Sequence, residues 1–145
     1  MLALLALLTA ALFTGVAIYV ALAEHPARMQ LDDRNALAQW KPSYTRGAFM
    51  QAGLALVCGV AGVTAWYKWQ SVWPWLIGGL LMLANIAYTF AVIWKTNGAL
   101  KTTPLDEAGP GSRALLVKWG QLHLGRVALG VLATGFFVWG NWPNN

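Results

Sequence analysis

Three residues in one apolar run have the types and the spacing for acid–base chemistry. Trp119, His123 and Arg126 are spaced i, i+4, i+7, and this spacing puts them on one face of a helix. A histidine can take up and return a proton, and an arginine can stabilise an oxyanion. A charged side chain is costly at membrane depth, so Arg126 is expected either to pair with a carboxylate or to bind an anion.

The acid best placed to reach Arg126 is Glu24, which ends the first apolar run and precedes His25. One interpretation is an ion pair between Glu24 and Arg126 that holds the first and fourth helices together. The other is a catalytic pocket in which Arg126 stabilises an oxyanion and His123 or His25 is the base. The two interpretations are compatible with each other.

The composition indicates a membrane protein rather than a soluble enzyme domain, a disordered tail or a collagen-like fibre. Of the 145 residues, 58% are hydrophobic and 10% are charged, whereas soluble domains have about 25% charged residues. Four apolar runs are long enough to span a bilayer. We predict an all-α integral membrane four-helix bundle, one domain over residues 1–145, with transmembrane helices at about 2–24, 44–67, 71–96 and 113–140.

The first helix and the loop after it depend on local signals. Residues 1–23 carry no charge and no basic n-region, which favours a spanning helix over a cleaved signal peptide. Residues 31–40 (LDDRNALAQW) have the pattern of a short amphipathic helix at the membrane interface. Pro42 is expected to separate this interfacial helix from the second transmembrane helix, because the residue before a proline disfavours helical backbone.

The distribution of cations predicts the orientation. The first and third connections and their helix junctions hold eight of the ten Lys and Arg residues, namely Arg28, Arg34, Lys41, Arg46, Lys95, Lys101, Arg113 and Lys118. The second connection holds only Lys68. The positive-inside rule therefore puts the two basic loops in the cytoplasm and both termini outside it, in what we expect to be a bacterial inner (plasma) membrane. Cations placed between apolar runs set topology and do not indicate nucleic-acid binding.

Further polar residues gather towards the same basic side of the membrane. Asn85 and Thr89 lie in the half of the third run that leads to the third connection. At 1.5 Å per residue, Asn85 and His123 both lie about 14 Å from that end. The sequence therefore predicts a polar pocket between the helices that opens towards the cytoplasm.

Short motifs at these positions resemble the anthrone oxygenase-like family of small four-helix membrane proteins, over nearly the whole chain. The matching pieces are Glu24-His25-Pro26-Ala27-Arg28, Trp40 with Pro42-Ser43-Tyr44, Tyr88-Thr89, Thr96-Asn97 with Leu100, and Trp119 with Leu122-His123 and Arg126. A proline often stands before the Thr-Asn pair in that family, and Lys95 stands there in this chain. This departure bears on the conformation of the chain at the end of the third helix and not on the resemblance to the family.

The resemblance implies a membrane-embedded oxygenase. Fungal members oxidise polyketide anthrones to anthraquinones with dioxygen and have no established metal or flavin, and many bacterial members have no assigned activity. On this basis His123 is the expected base with His25 second, Arg126 stabilises an enolate, and Glu24 orients a histidine or Arg126. Trp40, Tyr44 and Trp119 are expected to stack on a flat substrate. Asn97 is expected to close the site or, beside Gly98, to cap its helix.

Two other classes of function remain open at the sequence level. One is a non-catalytic membrane protein that binds a lipid- or quinone-like molecule or serves as an accessory subunit. The other is a redox protein in which two histidines and Glu24 hold iron, or two histidines hold a haem. Glu24 and His25 are adjacent, which splays them by about 100° on a helix. The lone Cys58 excludes a Cys-x-x-Cys site, and no cofactor is predicted.

The expected partners are a small hydrophobic molecule and membrane lipids. Small residues spaced four apart allow helices to approach closely, and two such pairs are Ala11–Gly15 and Ala55–Gly59. These faces suit either packing within the bundle or oligomerisation.

Overall fold

The computed structural model describes residues 1–69 and 72–142. Four long helices account for most of them: α1 (Leu2–Arg28), α2 (Asp33–Trp69), α3 (Trp73–Thr102) and α4 (Pro110–Gly140). A single 3₁₀ turn, Leu105–Glu107, interrupts the connection before α4. Each helix is long and apolar enough to cross a membrane, and the described residues include no strand. The predicted all-α four-helix architecture is confirmed.

Successive helices run in opposite directions, so the bundle has two distinct ends. The terminal end carries Met1, Trp69, Val72 and residues 140–142, and the loop end carries connections 29–32 and 103–109. α1 packs on α2 and α4, and α3 packs on the same two helices. The predicted start of the third helix, residue 71, lies outside the described residues.

The prediction of a separate interfacial helix before α2 is wrong. Residues 31–40 do become helical from Asp33, but α2 continues through Pro42 without a break. Proline removes one backbone donor, and the exposed position of Pro42 leaves the freed carbonyl of Ala38 where water or headgroups can reach it. The rings of Trp40 and Tyr44 stack across this turn with centroids 4.6 Å apart, which holds the helix together.

Two helices contain one wider turn each, of the π type. The first, Val20–Glu24, lies in α1, and the second, Thr89–Ile93, lies in α3. α3 also extends beyond the predicted end at residue 96 to Thr102. Asn97 therefore lies inside a helix rather than at a helix cap, and the expected capping role is wrong.

The two halves of the bundle have different cores. Towards the terminal end, small residues and two phenylalanines fill the interior, with Phe13 and Phe137 fully buried among alanines. Towards the loop end, the buried core is built from large side chains, including Trp40, Leu116 and Trp119. The Ala55–Gly59 face packs against α3 within the bundle, because a Cβ at Gly59 would lie 3.2 Å from the carbonyl oxygen of Gly79 in α3.

Candidate functional site

A cavity of about 390 Å³ lies in the loop half between α1, α2 and α4. Ligand pockets are typically about 300–1,000 Å³, so this volume suits a small organic molecule. The lining combines apolar side chains with a few polar groups, and the predicted site residues among them are Glu24, Tyr44, Trp119, His123 and Arg126.

The cavity does not open through the loop end, as the sequence had suggested. Leu37, Trp40 and Leu116, which lie at that end of the bundle, are fully buried. The exposed lining residues are instead Tyr19, Arg46 and Met50, which lie along the gap between α1 and α2. The bulky core of the loop end therefore forms a floor beneath the cavity.

His123 is held in one orientation by the backbone of α1. Its Nε2 lies 3.1 Å from the carbonyl oxygen of Ala17, which can only accept a hydrogen bond. Nε2 must therefore carry the proton in the neutral ring. Nδ1 is buried without a hydrogen-bond partner among the described residues, so its lone pair is free to accept a proton.

Arg126 does not pair with Glu24, so the expected ion pair between α1 and α4 is wrong. Within residues 1–69 and 72–142 no carboxylate pairs with Arg126, and its Nε is buried without a partner. The guanidinium carbon lies 5.4 Å from the ring centroid of Phe13, a cation–π arrangement. An unneutralised cation thus faces the cavity with unused hydrogen-bond donors.

Glu24 pairs with Arg28 instead, one turn further along α1. One oxygen of Glu24 also accepts hydrogen bonds from Ser43 Oγ and from Gln39 Nε2 of α2. Arg28 is 2% exposed, and its Nε donates to Gln39 Oε1. Glu24, Arg28, Gln39 and Ser43 thus form a polar cluster. Glu24 pairs with Arg28 rather than with Arg126 because a residue at i+4 on the same helix is reached without ordering any further chain.

His25 lies beside this cluster rather than free in the cavity. Its Nδ1 is 3.2 Å from Nη1 of Arg28, and an arginine only donates. The proton of neutral His25 is therefore on Nε2, which packs against Gly120 of α4. Arg28 therefore lies between Glu24 and His25, with Glu24 on its Nη2 and His25 on its Nη1.

Aromatic rings form a stack beside the cavity. The rings of Trp119 and His123 are parallel within 16°, with centroids 5.1 Å apart. Nε1 of Trp119 donates to Oδ1 of Asn97 at 3.0 Å. Trp40 meets Trp119 edge-on at 5.9 Å. Asn97 and Trp40 therefore position Trp119, and Trp119 in turn supports the imidazole of His123.

Asn85 and Thr89 line a second cavity, of about 150 Å³, between α2 and α3. The single polar pocket expected from their matching depth with His123 is therefore divided in two. Gln51 and Arg126 line both cavities. Oδ1 of Asn85 and Nε2 of Gln51 are buried without hydrogen-bond partners among the described residues.

Arg28 and Gln51 belong to the site, although the sequence analysis gives neither of them a role in it. Arg28 enters that analysis as a topology-setting cation and as the last residue of the Glu24–Arg28 motif, yet it is the centre of the polar cluster. A signal was present, because Glu24 and Arg28 are spaced i, i+4. Gln51 is 3% exposed on a transmembrane helix, and buried polar residues there are costly enough to merit selection.

No three His, Cys, Asp or Glu side chains of the described residues come together as a metal site would require. His25 and His123 instead both pack on the indole of Trp119. The arrangement at hand consists of a free imidazole nitrogen, an unpaired guanidinium and stacked aromatic rings. These groups suit the removal of a proton and the stabilisation of the anion that results.

The fold and the cavity define the chain as a membrane helical bundle with a buried histidine and arginine at an internal ligand-sized space. In the comparisons with known proteins, the family model described as anthrone oxygenase matches residues 40–136. The match covers more than half of the chain, which therefore belongs to the anthrone oxygenase family. Neither the curated proteins nor the solved structures yielded a match.

Proposed function

We propose that the protein is a membrane-embedded oxygenase that converts an enolisable methylene, flanked by aryl rings as in an anthrone, into a ketone with dioxygen. Membership of the anthrone oxygenase family supports oxygenase-like chemistry. The observation that carries the proposal is that one cavity is lined by both His123, whose buried Nδ1 has no hydrogen-bond partner, and Arg126, which pairs with no carboxylate among the described residues.

The first step is a proton transfer. His123 Nδ1 removes one proton from the methylene carbon, and the electron pair of that bond moves into the carbonyl to give an enolate. Arg126 donates hydrogen bonds to the enolate oxygen, which neutralises the new charge. The backbone carbonyl of Ala17 stabilises the imidazolium by accepting from Nε2.

Dioxygen then acts as the oxidant. The enolate passes one electron to dioxygen, and the resulting carbon radical and superoxide combine to form a C–O bond. The peroxide anion takes back the proton from His123 to become a hydroperoxide. Loss of the second methylene proton and cleavage of the O–O bond release water and leave a ketone. The sum is CH₂ plus O₂ giving C=O plus H₂O.

The rest of the cavity supports this chemistry by binding and by exclusion of water. Tyr44 and Trp119 line the cavity and offer flat surfaces for a ring system, with aromatic stacking worth about 0.5–1.5 kcal/mol per pair. The buried floor keeps bulk water from quenching the enolate. Asn97 contributes through the orientation of Trp119.

The test is oxygen uptake by the purified, detergent-solubilised protein with a simple anthrone. His123→Ala should lower turnover by about 10²–10⁴-fold, the usual contribution of a general base. Gln121→Ala, an exposed position on the same helix, is the matched control and should keep full turnover. Uptake that survives chelation but is lost in His123→Ala supports the proposal. Uptake that equals the spontaneous oxidation of anthrone refutes it.

A second candidate is binding without turnover, which the volume of the larger cavity also suits. In that case a lipid- or quinone-like molecule would bind with the same affinity to the wild type and to His123→Ala, with no oxygen uptake by either. A reduced-minus-oxidised absorbance spectrum of the same sample tests for haem.

We further propose that the basic loop end faces the cytoplasm of a bacterium and that both termini lie outside it. The excess of Lys and Arg in the loop-end connections supports this orientation. A reporter enzyme that is active only outside the inner membrane should be active when fused to the C-terminus and inactive when inserted at residues 103–109. The opposite pattern would invert the orientation.

A further inference from the structure

We propose that the substrate reaches the larger cavity sideways from the lipid bilayer, through a window between α1 and α2, as a neutral, flat, apolar molecule. The window is defined by Val16, Tyr19, Gly47 and Met50. The inference rests on the proposed function for the nature of the substrate. The existence of the window rests on geometry alone.

Two contacts between α1 and α2 frame the window. Towards the loop end, Ser43 of α2 donates a hydrogen bond to Glu24 of α1. Towards the terminal end, Cys58 Sγ of α2 donates to the carbonyl oxygen of Ala6 of α1 at 3.2 Å. Ser43 and Cys58 are fifteen residues apart, which corresponds to about 22 Å along the helix. The cavity lies between these two ties.

The side chains between the two ties are open to the outside of the bundle. Tyr19 is 59% exposed and Met50 is 46% exposed, although both line the cavity. Gly47 also lines it, and a Cβ at this position would meet no atom within 4 Å. The missing side chain therefore keeps the gap between the helices free.

The other direction of approach is obstructed. Arg28 is 2% exposed and Trp119 is 6% exposed, and the polar cluster joins α1 to α2 beneath the cavity. The rings of Trp40 and Tyr44 are stacked on the same side. A molecule coming from the water at the loop end would have to break these contacts, whereas one coming through the window breaks none.

The position of the window along the helices determines the chemistry of what can pass. Tyr19 and Met50 lie in the uncharged parts of segments that are long and apolar enough to span a membrane, and Arg46 lies at the loop-end edge of the window. The window therefore faces the hydrocarbon chains next to the membrane interface. Hydrocarbon excludes ions strongly. The molecule must therefore arrive in its neutral form, and the charge must be created inside the cavity by proton removal.

The window itself can be tested without any assay of activity. Spin labels are attached to Gly47→Cys and, as the matched control, to Gly53→Cys, each in lipid vesicles and in a Cys58→Ser background, which keeps a donor for the carbonyl oxygen of Ala6. Gly53 also has open space around its Cβ position, but it does not line the cavity. Both labels should collide with lipid-soluble oxygen far more often than with a water-soluble nickel chelate. Added anthraquinone should slow the motion of the label at residue 47 only.

Frequent collisions of the residue 47 label with the nickel chelate would overturn the proposal, because the opening would then lead to water. Equal effects of anthraquinone at both positions would also overturn it. A wild type that does not turn over anthrone would refute the proposed oxygenase, and the label at residue 47 would still decide whether the window exists.

The functional measurement compares Gly47→Leu with Gly53→Leu, supplied with anthrone dissolved in the vesicle membrane. Both changes gain helix propensity equally, so stability cannot explain a difference between them. Gly47→Leu should lower kcat/KM at least tenfold, and Gly53→Leu should leave it within about twofold of the wild type. Equal kcat/KM values in the two variants would refute passage through the window.

Discussion

The terminal half and the loop half of this bundle are held together by different means. In the terminal half, helices touch through glycine and alanine: a Cβ at Gly62 would lie 2.8 Å from the ring of Phe137, and one at Gly78 would lie 2.9 Å from it. In the loop half, α1 and α2 are tied by charged and polar side chains around Arg28, and two cavities remain between the helices.

This difference assigns stability mainly to the terminal half and binding mainly to the loop half. Close backbone contact leaves no space and gives the terminal half its rigidity. The loop half leaves space and holds most of the buried polar atoms without partners among the described residues, which cost stability and are typical of functional sites. Arg126 lies at the border, with Phe13 of the small-residue core against its guanidinium and both cavities beside it. The comparison predicts that substitutions in the terminal half change mainly the free energy of unfolding, and that substitutions of cavity residues in the loop half change mainly turnover.

The largest effect is expected from Arg126→Met. If Arg126 stabilises the enolate as proposed, its loss should lower kcat/KM for an anthrone about 10²–10³-fold. The free energy of unfolding should stay unchanged or rise, because an unpaired buried charge is removed. Oxygen uptake and chemical denaturation in detergent measure the two quantities.

The matched control is Arg113→Met. Arg113 connects α4 to the α1–α2 region, because it donates hydrogen bonds to Asp33 at 2.7 Å and to the carbonyl oxygen of Met29 at 2.9 Å. Its loss should destabilise by about 1–2 kcal/mol and leave turnover unchanged. If Arg126→Met destabilised the protein and Arg113→Met did not, Arg126 would be a structural residue.

The next effect tests the terminal half. Gly62→Leu should destabilise by about 3 kcal/mol, the upper end of overpacking costs, because the new side chain meets Phe137 and a carbonyl oxygen of Trp75 at 3.0 Å. Per folded molecule, turnover should be unchanged. Gly53→Leu serves as the control, since its side chain enters open space, and equal stability of the two variants would refute the close-packed description.

A smaller effect is expected where the loop half positions its aromatic rings. Asn97→Ala leaves the buried Nε1 of Trp119 without its acceptor, which should cost about 1–2 kcal/mol. The ultraviolet absorbance of tryptophan should also shift as the indole loses this bond. Unaltered absorbance together with unaltered stability would show that Asn97 does not hold Trp119.

The smallest effect concerns Asp32, which lies in the connection between α1 and α2. Its Oδ1 accepts from the backbone N–H of Asn35 at 2.9 Å, and this bond lowers the pKa of Asp32. The contribution of the carboxylate to stability is therefore present above its unfolded pKa and is lost as the pH falls through the lowered value. Asp32→Ala should lower the melting temperature slightly at pH 7, and less at pH 3. Asp32→Asn should keep most of the cap, and equal melting temperatures of the wild type and Asp32→Ala at pH 7 would contradict this role.

The sequence was sufficient for the fold because apolar runs of spanning length leave few alternatives. It was insufficient for the helix ends. A proline usually marks a helix boundary, but here α2 continues through Pro42, and the rings of Trp40 and Tyr44 stack across that turn. Such compensation depends on side-chain packing, which a rule about single residues does not contain.

The candidate site was predicted only in part, because His25, Trp40 and Asn97 line neither cavity. His123 and Arg126 share a helix face, so their presence in one cavity followed from spacing alone. The partner of Glu24 was not predicted from spacing. Arg28 lies one turn away on the same helix, whereas Arg126 is about a hundred residues away in sequence, and Glu24 pairs with Arg28. Asn85 has the depth of His123 but lies on the other side of α2, and depth carries no information about direction around the bundle axis.

The π turn at Val20–Glu24 has a consequence for how insertions and deletions would act on this protein. A π turn accommodates one residue more than an α turn, so the extra residue is taken up within the turn and the segments on either side keep the register of a regular helix. Deletion of one residue from this turn would let α1 run on as a regular helix and would leave Glu24, His25 and Arg28 facing α2. Deletion of one residue from a helix that has no such turn would instead rotate every later residue by about 100°.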